Sequence, residues 1–251
     1  MYDVSSEERV PIWARPAPGE RRPAHTRERI AAVALQIADR EGYEAVTMRR
    51  VAAELGAGTM TLYHYVRNKE ELNALMDDSI MGELLVPEDE LADDWREGLA
   101  EIARRSYAAF QRHPWIFDHF AAEESPSPGG PNALRHVEQS LAVAARTGLD
   151  IAGQFELVAV VDDFVFGHAM RSRATRVHES GHGAQERLEG LVAYLKAQLD
   201  TGEFPHLTAF AGDDPAAGFE RVMELAGDPG RFERGLQRLL DGIALDLDRR
   251  R

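Results

Sequence analysis

The chain has 251 residues, of which 44% are hydrophobic and 29% charged, and it carries a net charge of −14. This composition is typical of a globular protein with one or two domains. It contains no cysteine, which excludes a disulfide framework and thiolate chemistry and fits a reducing cytoplasm. No apolar run reaches the roughly 18 residues of a membrane span, and the N-terminus has no apolar core of a secretory signal. We therefore expect a cytoplasmic protein that does not enter the membrane.

The charge is unevenly distributed along the chain. Residues 21–69 contain nine basic and five acidic residues, a net charge of +4, and this leaves −18 for the rest. A basic segment attached to an acidic body suits a protein that touches nucleic acid with one end only.

Residues 1–25 are rich in Pro, Arg and Glu and show no periodicity, so they are predicted to form a flexible arm. A solvated tail is favoured for residues 1–20, whereas Arg21 and Arg22 lie where they could reach phosphates or a minor groove. A first helix is predicted over residues 26–41, because apolar residues recur there at helical spacing and Gly42 ends the pattern.

Two short helices with a tight turn between them are predicted within residues 47–69. Thr47 can cap the first, since its hydroxyl can accept from an orphan N–H of the first turn. Gly56 and Gly58 then break the helix. A second short helix begins at Thr59, and Asn68 can cap the helix that follows it.

A helix–turn–helix that exposes threonine, tyrosine, histidine and lysine suits the major groove of DNA, because these side chains can reach base edges and phosphates. Short amphipathic hairpins with a solvated face are also common. Spacing alone leaves both interpretations open.

The rest of the chain is predicted to be helical, with no alternation of strand type. Its helices cover residues 69–85, 93–113, 132–146, 151–175, 184–199 and 231–248. The helix over 151–175 is apolar on most sides, which indicates burial on most sides and, in a chain of this size, a subunit interface.

The most specific run is TLYHYVRNKEEL at 61–72, preceded by RRVAAELG and by the entry helix TRERIAAVALQIADREG. These segments resemble the DNA-binding domain of the tetracycline-repressor (TetR) family of bacterial regulators. The body resembles the tetracycline-repressor C-terminal class through DDWREGLAEIARRSYAAFQRHPW at 93–115 and FERGLQRLLDGIAL at 232–245. The resemblance implies an all-α protein. It would have an N-terminal three-helix helix-turn-helix domain over 26–70 and a C-terminal helical ligand-binding and dimerisation domain over 71–251.

Three sets of functional residues follow from the residue types together with this resemblance. The predicted DNA contacts are Thr47, Arg49, Thr59, Met60, Thr61, Tyr63, His64, Tyr65 and Lys69. The resemblance implies a two-fold dimer with a four-helix interface, for which we predict Phe164, Val165, Leu236, Leu240 and Ile243. Aromatic walls with a few polar groups are typical of small-molecule sites, and the candidates are Trp115, Phe117, His119, Phe120, His136, Phe166 and Met170. For each of these seven residues taken singly, an ordinary core position is favoured.

No metal site, cofactor or catalytic centre is predicted. His178 and His182 have a ligand-like spacing, but a zinc site needs three or four ligands. Gly56 and Gly58 do not follow a strand, and the Gly-x-Ser-x-Gly elbow and a cysteine nucleophile are absent. Whether a metal accompanies the ligand is left open.

The sequence therefore predicts a ligand-responsive transcriptional regulator that binds operator DNA as a homodimer. Release of a repressor by a small-molecule effector is the favoured mechanism. The alternative is a DNA-binding regulator without a small-molecule inducer, either partner-gated or constitutive.

Overall fold

The computed structural model describes residues 10–16, 25–122, 129–180, 184–212 and 214–250. All regular structure in these ranges is helical, as predicted. The α-helices are α1 (Arg27–Glu41), α2 (Met48–Glu54), α3 (Thr59–Tyr63), α4 (Lys69–Leu84), α5 (Trp95–Arg112), α6 (Ile116–Ala122), α7 (Pro131–Ala145), α8 (Ile151–Ser180), α9 (Ala184–Leu199), α10 (Pro205–Ala211), α11 (Pro215–Gly227) and α12 (Arg231–Arg249). Short 3-10 turns lie at Ile12–Ala14 and Tyr43–Ala45.

The helices of the head, α1 to α3, and the start of α4 are set by local capping. The Thr47 hydroxyl accepts from the backbone N–H of Arg50 at 3.1 Å, and the Asn68 side chain accepts from the N–H of Glu71 at 2.8 Å. Gly56 follows α2 with a φ of +68°, a conformation that favours glycine. The predicted caps and glycine turn are therefore confirmed.

The small core of the head positions α3, which at five residues is too short to be stable alone. Leu62 and Val66 anchor this segment, with at most 2% of their surfaces exposed. They join other buried side chains of the head, among them Ile30, Ala34, Ile37, Val46 and Val51. Anchoring by one face leaves the opposite face of α3 in solvent.

Helix α4 leads from the head into the body and packs against α1, α5 and α7. Its inner face is formed by five buried side chains, those of Leu72, Leu75, Met76, Ile80 and Leu84. One helix thus shares its contacts between the head and the first helices of the body.

The chain divides into two compact units, one up to Val165 and one from Phe166 onward. The first contains the head together with α4 to α7 and the beginning of α8. The second holds the rest of α8 together with α9 to α12. Pro205 and Pro215 each stand in the first helical turn, where proline is pre-organised and its missing N–H costs nothing.

Helix α8 is only partly buried within one chain. Leu157 and Val161 are at most 5% exposed, whereas Ile151 and Phe155 are 61% and 53% exposed. An apolar stripe of this kind requires cover from elsewhere. No helix within the described ranges is long and apolar enough to cross a membrane.

The structure corrects three of the five predicted interface residues. Val165, Leu236 and Leu240 are at most 1% exposed in the single chain, so they belong to its own core. Phe164 and Ile243 are partly exposed and stay predictions. Helical periodicity correctly marked an apolar face but does not distinguish the core of one chain from an interface between two.

The predicted flexible arm is wrong for residues 10–16, which are docked. Ile12 is 2% exposed. The Arg27 guanidinium of α1 donates to the carbonyls of Ile12 at 2.8 Å and Arg15 at 3.0 Å, and Arg15 pairs with Glu71 of α4. Arg21 and Arg22 lie outside the described residues.

Candidate nucleic-acid interface and its junction with the body

The exposed face of α3 presents a compact set of side chains suited to base edges. Met60 is 75% and Tyr63 is 42% exposed, and Thr61 and His64 are also exposed. Thr59 is partly exposed. Five of the predicted DNA contacts therefore lie on one accessible surface, offering hydroxyls, an imidazole and a thioether to a groove.

The N-terminal turn of α2 adds a second part of this surface. Thr47 and Arg49 are exposed. Arg50 instead pairs with Glu41 at 2.8 Å and with Glu54 at 2.6 Å. Hydrogen bonds from Arg50 lower the pKa of both glutamates, so these pairs hold α2 against the end of α1 and leave Arg49 available for phosphate.

Tyr65 is a correction to the predicted DNA contacts. It is only 8% exposed, and its ring makes an edge-to-face contact with His25 at a centroid distance of 6.4 Å. Tyr65 lies beyond the end of α3, in the turn before α4. The turn directs its side chain into the protein. It supports the recognition surface instead of contributing to it.

Lys69 was expected to be exposed and to contact phosphate, but the structure engages its ammonium group inside the head. Nζ donates to the carbonyl of Val46 at 2.6 Å and lies 4.5 Å from the centroid of the Tyr43 ring. Burial lowers the pKa of Lys69. The residue therefore ties the start of α4 to the loop before α2.

Tyr43 stands at the centre of the contact between head and body. Its ring stacks on Trp115 at a centroid distance of 5.9 Å with an interplanar angle of 9°, and it lies 4.9 Å from the ring of His119. The Tyr43 hydroxyl accepts from Asn73 Nδ2 of α4 at 2.8 Å. One head side chain thus contacts the segment around α6 and the linking helix together.

Asp39 of α1 completes this junction. One of its carboxylate oxygens lies 2.8 Å from Trp115 Nε1, which donates to it, and 2.7 Å from His113 Nδ1. Buried donors left without an acceptor are costly, so the carboxylate fixes α1 against the segment that precedes α6. We name the set of Asp39, Tyr43, His113, Trp115 and His119 the junction cluster.

The junction cluster changes the interpretation of the predicted effector residues. Trp115, Phe117 and His119 are buried, and Trp115 and His119 contact Tyr43 of the head. An effector contact stays a prediction for all three. Met170 is 47% exposed and so does not line a closed cavity within one chain. Phe166 is partly exposed and belongs to the second unit, and the Phe120 side chain lies outside the described residues.

Sequence reasoning missed Asp39 as a functional residue. Its partner Trp115 lies 76 residues away, so no short-range spacing could reveal the pair. The only signal for Asp39 was its place beside the apolar stripe of α1, close to the end of that helix. An acidic residue at such a position is usually just solvated.

Polar atoms buried in the body are a second candidate site. His136 Nδ1 and Ser140 Oγ of α7, together with Ser106 Oγ of α5, are shielded from solvent and have no hydrogen-bond partner among the described residues. Burial lowers the pKa of His136, which favours a neutral ring. His136 and Ser140 are one turn apart, so they share a face of α7.

Two protein-family models match the chain. "Bacterial regulatory proteins, tetR family" matches residues 30–74, and "Tetracyclin repressor-like, C-terminal domain" matches residues 86–247. The chain belongs to the tetR family of bacterial regulatory proteins. It is thus a DNA-binding transcriptional regulator, whose helix-turn-helix is formed by α2 and α3.

Two relatives, one of them named a repressor, match over nearly the whole of this chain. The transcriptional repressor DrrR1 of Streptomyces coeruleorubidus is 34% identical, over 94% of this chain and 83% of DrrR1. A transcriptional regulator of Saccharopolyspora erythraea is 30% identical, over 96% and 95% of the two chains.

A solved structure of ActR from Streptomyces coelicolor in complex with actinorhodin is also similar to this TetR-family protein. The two chains are 30% identical, the match covers 88% of this chain and 95% of ActR, and the TM-score is 0.67. The likeness extends over both the head and the body.

Proposed function

We propose that this protein represses transcription by binding operator DNA as a homodimer in the cytoplasm, and that a small molecule bound in its body releases it. The observation that carries the proposal is the combination of an exposed recognition face on α3 with the junction cluster. This cluster ties α1 to the body by stacking and buried hydrogen bonds. A conformational change in the body can therefore alter the orientation of the head.

The effector is proposed to bind among α4, α5 and α7, where the buried polar atoms of Ser106, His136 and Ser140 lack partners. Leaving such atoms unpaired costs about 1–3 kcal/mol each. A ligand that carries carbonyl or hydroxyl groups would satisfy them. ActR is similar to this chain and has been solved with actinorhodin and with (S)-DNPA, which makes these compounds the first to try.

The proposed function is tested by footprinting the purified protein on DNA that flanks its own gene. We expect protection of a near-palindromic segment, because a two-fold dimer reads two half-sites. Actinorhodin, (S)-DNPA and related compounds are then titrated with and without this DNA. Since coupling is reciprocal, an effector should bind more weakly when operator is present.

Equal affinity in both titrations would show that the compound is not the effector. If every tightly bound compound behaved in this way, the sensing role would be abandoned in favour of a regulator without an inducer. The absence of any protected segment would contradict operator binding itself.

The exposed stripe of α8 gives a separate prediction for the dimer. Phe155→Arg places a charge on a 53% exposed position, so the single chain should still fold, while burial of an unpaired charge in a dimer costs several kcal/mol. Sedimentation should show monomer for Phe155→Arg and dimer for the control Phe155→Leu. A dimer of wild-type strength in Phe155→Arg would remove α8 from the interface.

A further inference from the structure

A cavity of about 530 Å³ lies inside the first unit, where the docked segment, the head and the body meet. Its walls are Trp13 of the docked segment, residues of α1 and Tyr65 from the head, and residues of α4 and the N-terminal end of α7. Cavities of roughly 300–1,000 Å³ are the size of small-molecule sites. It shares no wall with Ser106, His136 or Ser140, so it is separate from the proposed effector site.

Aromatic and apolar side chains supply part of its lining. Trp13 and Tyr65 contribute rings, and Leu75 and Ala31 add aliphatic surface. Trp13 packs closely against Gly130 at the start of α7, where an added Cβ would lie only 2.6 Å from Trp13 Cζ2. The rings are therefore fixed by packing, and they suit a flat, aromatic ligand.

The charged groups of the cavity favour an anion. Arg27 donates to backbone carbonyls, and Arg135 donates to the side-chain oxygen of Asn132 at 2.8 Å. Within the described residues, neither guanidinium lies at ion-pair distance from a carboxylate. Burial lowers the pKa of Arg27 below its ordinary value and Arg15 adds to this effect, whereas Glu71 and Glu28 oppose it. Arginine stays charged in proteins, so Arg27 offers a positive charge to the cavity.

Asp78, the buried acid of the cavity, is already compensated. Its Oδ1 accepts from the backbone N–H groups of Asn132 at 2.8 Å and Ala133 at 3.0 Å. These are orphan donors of the first turn of α7, where a carboxylate is favoured by the helix dipole. Glu28 also lines the cavity and, like Arg135, is exposed, so water screens both of these charges. Arg27 is less exposed than either and is screened less.

We propose that this cavity is a second binding site, and that it takes a planar aromatic ligand carrying an acidic group such as a carboxylate or sulfonate. The rings of Trp13 and Tyr65 would cover the aromatic part, and the guanidinium groups of Arg27 and Arg135 would bind the acid. Because the walls come from the docked segment, the head and the body, a bound ligand would hold these three parts together.

The test uses anilinonaphthalenesulfonate, a fluorescent aromatic sulfonate, and phenylnaphthylamine, which has the same rings without the acid. Arg135 is exposed, so Arg135→Gln should fold normally and should weaken sulfonate binding by about fivefold or more, the equivalent of one lost charged contact. Trp13→Ala should weaken both probes. The control Arg238→Gln removes an exposed arginine of α12 and should change neither affinity.

If wild-type protein shows two binding phases, the phase that Arg135→Gln and Trp13→Ala both weaken is the one assigned to this cavity. Unchanged sulfonate affinity in both variants, or no saturable binding to wild-type protein, would overturn the site. Equal weakening of the two probes by Arg135→Gln would overturn its preference for an acid. None of these outcomes depends on operator binding, so the proposed function is tested separately.

Discussion

Tyr63→Ala is expected to weaken operator binding about tenfold or more, because an exposed side chain on α3 is lost from base or phosphate contacts worth about 1–3 kcal/mol. Tyr63 is 42% exposed, so the melting temperature should barely change. Fluorescence anisotropy with labelled operator measures the affinity, and calorimetry measures the melting temperature.

Tyr65→Ala is the matched control, two positions further along the chain. Tyr65 is 8% exposed, so the same truncation should lower the free energy of unfolding by about 3 kcal/mol, as for other buried aromatic residues. The two tyrosines should thus give opposite patterns of affinity and stability. Wild-type operator affinity in Tyr63→Ala would contradict the assignment of the α3 face.

Trp115→Phe is expected to uncouple effector binding from operator release. The change keeps a ring against Tyr43 but removes the indole N–H that Asp39 accepts at 2.8 Å. Loss of this bond to a carboxylate should cost about 2 kcal/mol of stability. The factor by which effector lowers operator affinity, typically about 5–150 in allosteric proteins, should fall towards one.

Trp95→Phe controls for the loss of an indole elsewhere in the body. Trp95 begins α5 and is not a member of the junction cluster, so coupling should be retained. The measurement is operator affinity at zero and saturating effector for wild type and both variants. Full effector-induced release in Trp115→Phe would show that the signal reaches the head by a route other than Asp39.

The contrast between the exposed Tyr63 and the buried Tyr65 shows how much of the candidate interface could be predicted from the sequence. The pattern correctly placed the start of α3 at Thr59. It could not decide between Tyr63 and Tyr65, because α3 ends at Tyr63 and the direction of the next side chains depends on the turn into α4. The hydrogen bond of Lys69 was equally out of reach of the pattern, since its acceptor is a carbonyl 23 residues away. A phosphate contact of Lys69 stays a prediction.

The sequence by itself determined what local interactions control. The cap of Thr47 on Arg50 and that of Asn68 on Glu71 each span three residues, and Gly56 specifies its own backbone conformation. Periodicity added which face of each helix is buried. These signals, with the motif at 61–72, were sufficient for the all-helical class, the three-helix head and the family.

Tertiary structure alone decided what each buried face packs against. Leu236 and Leu240 were predicted to lie in a dimer interface, and only the assembled chain places them in its own core. The pairing of Asp39 with Trp115, the docking of Ile12 and Arg15, and the cavity beside Trp13 all join segments far apart in sequence. Such contacts form only when several helices reach their final positions together, so no single stretch of sequence encodes them.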